Sequence, residues 1–182
     1  MVLQIQYWPI ILYFYTNGIL KTVFIIRHAK SDQRFFGNDF ERPLNERGRF
    51  DAPMMAKRLF EKNIKIDALV ASPAVRAKKT AVLFSEILQM PASDIIFISA
   101  LYHAPAEVFY DVIAALPDNL NTIALFSHNP GITYFVNSLS TGTRIDNMPT
   151  CAIFSAGAAV DRWSDFRKAK KDFLFFDQPK NS

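Results

Sequence analysis

Residues 22–28, Thr22-Val23-Phe24-Ile25-Ile26-Arg27-His28, set an unbroken β-branched and aromatic run against an abrupt pair of basic side chains. A short apolar run bounded by polar residues reads as a strand buried on both faces. In open α/β sheets, ligands bind just beyond the carboxyl ends of such strands. Arg27-His28 stands at that position. A neutral histidine is a nucleophile, and an adjacent arginine opposes its protonation. The same arginine offers a planar fork of donors suited to phosphate. Taken alone, the dipeptide reads more readily as a surface ion pair beside a satisfied histidine, so its meaning depends on what else the chain brings to that edge.

Reading outward, a polar loop over residues 31–42 follows the first strand. Pro43-Leu44-Asn45 then opens a helix with Asn45 as its N-cap, running through Phe50, Met54, Met55 and Leu59 with some disruption expected at Pro53. Residues 67–71 form a second buried strand. Ser72-Pro73 looks like a helix start, serine as cap and proline in the first turn, and that helix's apolar face is read as Val75, Ala81, Val82, Leu83 and Leu88. A third strand is expected over 95–98, a helix over 106–116 and a fourth strand over 122–126. Ser127-His128-Asn129-Pro130-Gly131 and a helix to Leu139 come next. The stretches 151–160 and 173–176 suggest a late antiparallel pair. Strands alternating with helices predict an α/β fold, a mostly parallel sheet with helices on both faces, and one domain.

Three strand ends carry matching polar groups. The first ends in Arg27-His28. The second ends in Ser72-Pro73, with Arg76 in the following turn, and the fourth ends in Ser127-His128. In a parallel sheet these ends share one edge. Two imidazoles and two guanidiniums then converge close to helix N-termini, whose free amides also favour anions. A phosphoryl group fits that setting: its oxygens take the arginines and the second histidine, and its phosphorus stays open to in-line attack.

Composition agrees with a globular domain. The chain has 182 residues, half of them hydrophobic and 21% charged, with a net charge of +4. Part of the basic excess lies in Arg167-Lys168-Ala169-Lys170-Lys171. A solvated basic stretch accounts for it, and without a recognisable binding module nucleic acid is not expected as a partner. The single cysteine, Cys151, excludes an internal disulfide and leaves no zinc-cluster spacing. A cytoplasmic location suits that usage.

Residues 1–20 read as an apolar N-terminal extension ahead of a domain spanning 21–182. The apolar part, residues 7–15, is shorter than the ~20 residues of a membrane-spanning helix. It lacks the basic start and small-residue cleavage pattern of a signal peptide. An upstream choice of start codon is one explanation, which an intact Met1 in the natural protein, read by mass, would exclude. An interface helix or an arm packed on the domain is the other.

The motifs, taken together, resemble those of the histidine phosphatase superfamily, also called phosphoglycerate mutase-like, and within it the small SixA-type phosphohistidine phosphatases. The resemblance rests on Arg27-His28-Ala29-Lys30-Ser31-Asp32, Arg42-Pro43-Leu44-Asn45-Glu46-Arg47-Gly48 and residues 72–81. It continues through Leu101-Tyr102-His103-Ala104, Ser127-His128-Asn129-Pro130-Gly131 and Met148-Pro149-Thr150, and leaves only the N-terminal extension outside. It implies a three-layer α/β/α sandwich. It implies that His28 attacks phosphorus and becomes phosphohistidine, that Arg27 and Arg76 bind the phosphoryl oxygens, and that His128 donates to them. Arg42 resembles an accessory phosphate-pocket arginine. Ser72 and Asn45 read as caps. No metal or organic cofactor is implied.

Two departures stand out. Ala29 replaces the glycine that follows the nucleophile in much of the superfamily, as is usual in the small branch. His103 stands where related small proteins often carry an acid, and is expected at the pocket rim, assisting the leaving group. Glu107 is a weaker acid candidate. The chain has no long insert to build a lid over a small metabolite, which favours a phosphohistidine protein as substrate and partner. A phosphatase of a small phosphorylated metabolite is the alternative, a mutase is less favoured, and a non-catalytic phosphate-binding domain is a third reading. A monomer is the default assembly, and a membrane is not an expected partner.

Overall fold

The computed structural model describes residues 21–139 and 142–179; the N-terminal extension read from the sequence lies outside them. The apolar run forms β1 (Lys21–Arg27), buried along almost its whole length. Its side chains alternate between two cores, as strand geometry requires. Val23 and Ile25 point into one with Phe109, Ile113, Phe135 and Val136. Phe24 and Ile26 point into the other with Met55, Ala56, Leu59 and Phe84. An uninterrupted apolar strand is the consequence of covering both faces.

The remaining strands are β2 (Ala68–Ala71), β3 (Ile96–Phe97), β4 (Thr122–Ser127), β5 (Ile153–Ala158) and β6 (Asp172–Asp177). They join β1 in one sheet of order β3-β2-β4-β1-β5-β6. β1, β2, β3 and β4 are parallel, while β5 runs against both β1 and β6. The sheet is thus mostly parallel, and the late antiparallel pair is present. Four α-helices are described: α1 (Glu46–Phe60), α2 (Val75–Ile87), α3 (Ala106–Ala114) and α4 (Gly131–Leu139). α1 and α2 cover one face of the sheet, and α3 and α4 cover the other. The result is the three-layer α/β/α sandwich.

Asn45 caps α1 as expected, its side chain accepting from the Gly48 amide at 2.9 Å. The expected disruption at Pro53 does not occur, and α1 continues through it. An interior proline disfavours a helix by about 3 kcal/mol, but Ala52, Met55, Ala56 and Leu59 form a buried stripe that holds the helix on the sheet. The start of α2 also differs. It begins at Val75 with Ala74 at the cap position and no side-chain cap, so Ser72 lies outside the helix. The buried face of α2 is Ala77, Ala81 and Phe84 with Thr80, whereas Val75, Val82, Leu83 and Leu88 are only half-buried. Among the described residues no helix is long and apolar enough to cross a membrane.

Candidate active site

The strand register brings the polar strand ends together. Arg27 pairs with Ser127 across β1 and β4, and the His28 amide donates to the Ser127 carbonyl at 3.0 Å. The Ser72 amide donates to the Phe126 carbonyl at 3.0 Å, which seats the end of β2 against the same edge. On the far side the Cys151 amide donates to the carbonyls of Arg27 and His28. His28 and His128 therefore stand side by side, ring centroids 5.1 Å apart.

Around them lies a cavity of about 250 Å³ lined by Arg27, His28, Lys30, Ser31, Gln33, Arg42, Arg76, His103, His128, Asn129 and Thr150. All six residues singled out from the sequence, Arg27, His28, Arg42, Arg76, His103 and His128, line it. Glu107 does not. A larger surface cleft of about 630 Å³ shares Gln33 with it but contains no histidine, whereas the smaller one is lined by His28, His103 and His128.

The loop carrying His28 is fixed from three sides. The Ala29 amide donates to Thr80 Oγ1, and Thr80 Oγ1 donates to the Arg76 carbonyl within α2. The Asn45 amide donates to the Lys30 carbonyl, and the Asp32 amide to the Pro43 carbonyl. At Gly48 a Cβ would stand 2.0 Å from the Lys30 carbonyl oxygen, so only glycine admits this approach of α1. The Arg-Pro-Leu-Asn-Glu-Arg-Gly motif thus braces the loop that holds the proposed nucleophile.

His28 is 5% exposed. Its Nδ1 lies 2.8 Å from the Ala29 carbonyl, which accepts a bond only if Nδ1 carries the proton. Nε2 then keeps a lone pair, and Arg76 Nε–H donates to it at 3.2 Å. Burial, reinforced by the nearby charges of Arg76, Arg27 and Arg42, pushes the His28 imidazole down to about 3. His128 Nε2 lies 2.8 Å from Ser72 Oγ, and burial with the adjacent His28 pushes its imidazole down to about 2. Both histidines are neutral at physiological pH.

Arg76 is almost fully buried, while the Arg27 Nη1 donates to the Met148 carbonyl. Burial and the neighbouring guanidiniums of Arg76 and Arg42 lower the Arg27 pKa. Four buried side-chain polar atoms among the described residues lack a hydrogen-bond partner: Arg27 Nε, Arg42 Nε, His128 Nδ1 and Ser155 Oγ. The first three belong to residues lining this one cavity. Buried polar groups are ordinarily paired, and most of the unpaired ones among the described residues gather around this cavity.

Two features escaped the sequence reading. Ser72 does not cap α2; its hydroxyl meets His128, and that partnership explains the Ser72-Pro73 pair better than capping does. Asp39 was not singled out at all. It opens the short 3-10 turn Asp39–Glu41, and its Oδ2 accepts from Arg76 Nη2 at 2.8 Å and from the Tyr102 hydroxyl at 2.9 Å. Its Oδ1 pairs with Arg42 Nη2 at 2.8 Å. Partial burial pushes the Asp39 carboxyl upward, but the hydrogen bonds from Tyr102 and Arg76 and the charges of Arg76 and Arg42 outweigh it and hold the group down to about 2. The spacing of Asp39 to Arg42 was a weak available signal. His103 sits at the rim, 57% exposed along its side chain, with Nε2 3.6 Å from Asp39 Oδ2. Among the described residues no group of three or more His, Cys, Asp or Glu side chains is placed to hold a metal ion.

Comparison with known proteins points the same way. Residues 23–95 match the model of the histidine phosphatase superfamily (branch 1). No curated protein matches the chain. Among solved structures, the protein histidine phosphatase SixA complexed with tungstate shares 24% identity at a TM-score of 0.73, covering 85% of this chain and 95% of that one. The Bombix mori ecdysone phosphate phosphatase in complex with tungstate shares 14% identity at 0.64, over 89% and 95%. A mycobacterial glucosyl-3-phosphoglycerate phosphatase shares 15% at 0.61, over 84% and 96%. At these identities the structures establish the fold. The superfamily model matches from β1 to the residue before β3, less than half of the chain, and over that stretch the chain resembles the histidine phosphatase superfamily, whose fold it shares with these solved structures.

Proposed function

We propose that this phosphatase removes the phosphoryl group from phosphohistidine on a protein, through a covalent intermediate on His28. The carrying observation is the fixed tautomer of His28: Nδ1 bonds the Ala29 carbonyl and Nε2 holds its lone pair inside a cavity lined by arginines. In the first step Nε2 forms a bond to phosphorus as the bond from phosphorus to the leaving nitrogen breaks. That electron pair stays with the leaving imidazole, which takes up a proton. In the second step water attacks phosphorus and the bond to Nε2 breaks. Nε2 recovers its lone pair, and inorganic phosphate leaves with the water's proton released to solvent. Arg27, Arg76 and Arg42 bind the phosphoryl oxygens. His128 stabilises the charge that gathers on them in the transition state, and His103, at the rim, assists those leaving groups that need a proton more than an imidazole does.

A protein substrate is favoured by the setting of the cavity. It is small, and the loop that lines one side of it carries Phe36, 98% exposed, and Phe35, also exposed. The similarity of fold to SixA, described as a protein histidine phosphatase, supports the same substrate class.

Incubation with a phosphohistidine protein followed by acid-free quenching should trap a phosphoryl group on the enzyme, lost in His28→Ala. A panel of phosphorylated metabolites run beside it tests the substrate. Strong preference for one metabolite would replace the protein substrate with that compound's class. No trapped phosphate and no turnover of any phosphomonoester would leave a phosphate-binding domain.

A further inference from the structure

Each of the three guanidinium nitrogens of Arg76 makes one hydrogen bond within the chain. Nη1 donates to the Asp39 carbonyl at 2.6 Å, Nη2 to Asp39 Oδ2 at 2.8 Å, and Nε to His28 Nε2 at 3.2 Å. The other Asp39 oxygen holds Arg42. One carboxylate thus bridges two of the three arginines that line the cavity, and by pinning Arg76 it keeps an N–H on the lone pair of His28. While those bonds persist, a phosphoryl group meets only the remaining N–H groups of Arg76, and the lone pair of His28 Nε2 is not free to approach phosphorus.

The turn that carries Asp39 is short and lies at the surface. It is three residues long, contains no buried side chain, and has its N-cap in Asn38, whose side chain accepts from the Phe40 amide. It rests on the site through Tyr102, whose ring meets Phe40 edge-on at 5.1 Å and whose hydroxyl donates to Asp39. The Asp39 side chain is 43% exposed, so its carboxylate can be rehydrated as it moves.

We propose that Asp39 is a specificity-determining residue: its carboxylate occupies the Arg76–Arg42 pair, and the phosphoryl group of the substrate enters by exchanging with it. The inference rests on the reading of this cavity as the phosphoryl site. A dianionic phosphoryl group, with three oxygens, offers both guanidiniums more charge and more acceptors than a carboxylate. Asp39 therefore sets the strength an anion needs to enter, and Tyr102, by holding the carboxylate, tunes that threshold.

The test is the dissociation constant of inorganic phosphate, measured by calorimetry at fixed pH and salt, for the full chain and for Asp39→Asn, Tyr102→Phe and Arg76→Ala. The KM for p-nitrophenyl phosphate is measured alongside. Asp39→Asn should bind phosphate at least tenfold more tightly and lower KM in parallel, and Tyr102→Phe should shift both in the same direction by less. Unchanged or weaker phosphate binding in Asp39→Asn would overturn the proposal and make Asp39 a support for Arg76 instead. Equal phosphate binding by Arg76→Ala and the unaltered protein would show that the ion does not use this cavity, which overturns the reading of the site itself.

Discussion

Thr80 ties the backbone beside the proposed nucleophile to the helix that carries Arg76: its Oγ1 accepts from the Ala29 amide at 3.0 Å and donates to the Arg76 carbonyl at 2.7 Å. Thr80→Val keeps the shape but leaves a buried amide without an acceptor. Such a loss costs about 1–3 kcal/mol, and it frees the His28 loop relative to α2. The expected result is a stability loss in that range with kcat reduced about tenfold or more, since small misplacements of reacting groups are expensive. Thr80→Ser should restore most of both. Denaturant unfolding and steady-state kinetics on the three proteins check this.

Ser72 supports the role proposed for His128. Removing its hydroxyl in Ser72→Ala leaves His128 Nε2 without its partner at 2.8 Å. The ring then loses its fixed orientation toward the phosphoryl group, and kcat/KM should fall about tenfold, equivalent to ~1.4 kcal/mol. A serine acting only in helix initiation would instead lower stability and spare kcat.

The two neutral histidines make stability pH-dependent. In the unfolded chain each titrates near 6.5, whereas the folded values lie at about 3 for His28 and about 2 for His128. As pH falls below ~6.5 the unfolded state takes up protons that the folded state refuses, so stability declines, approaching ~1.4 kcal/mol per pH unit per histidine. Above ~6.5 this contribution is flat. Unfolding free energies measured from pH 7.5 to 4.5 should show that slope, and His28→Asn should remove its own share. A flat profile across the window would contradict buried neutral imidazoles.

Gly131 opens α4 three residues after His128. A Cβ there would lie 1.7 Å from the Ala104 carbonyl oxygen, a backbone atom with little room to retreat. Gly131→Ala should destabilise the protein by about 3 kcal/mol, at the upper end for overpacking. It should also disturb His103, which precedes Ala104. Thermal unfolding tests the first effect, and His103 imidazole resonances test the second.

His103 itself is exposed enough that His103→Ala should leave stability within about 0.5 kcal/mol. If it assists the leaving group, the substitution slows an alkyl phosphate, whose alkoxide needs a proton, and spares phosphohistidine, whose imidazole leaves easily. Alkyl phosphate turnover that is unchanged across pH would remove the role.

The sheet was legible because its signal is local. β1, β2 and β4 are apolar runs ended by polar residues, and Asn45 declares the start of α1. Ser72 was misread for the same reason: serine before proline carries a local capping signal, while its real partner, His128, arrives from a distant strand. Asp39 was hard to pick out because, beyond its spacing from Arg42, little in an aperiodic polar loop shows which acid will fold back onto Arg76. The gathering of Arg27, Arg76 and His128 around His28 followed from topology once the strands were read as parallel. Tyr102 stood inside a recognised motif, but its hydroxyl's partner did not.

The central position of β1 has a consequence for how the protein comes to exist. Thr22 pairs with Thr122 on one side, and Lys21 pairs with Ala158 on the other. Both neighbours are made long after β1 in the order of synthesis, and closing such long loops comes at an entropic cost before the contacts compensate for it. Until both close, His28 has neither the Ser127 carbonyl nor the Cys151 amide to fix its backbone. On the proposed reading of His28, a nascent chain that lacks these later segments would carry the site residues without the backbone contacts that fix them.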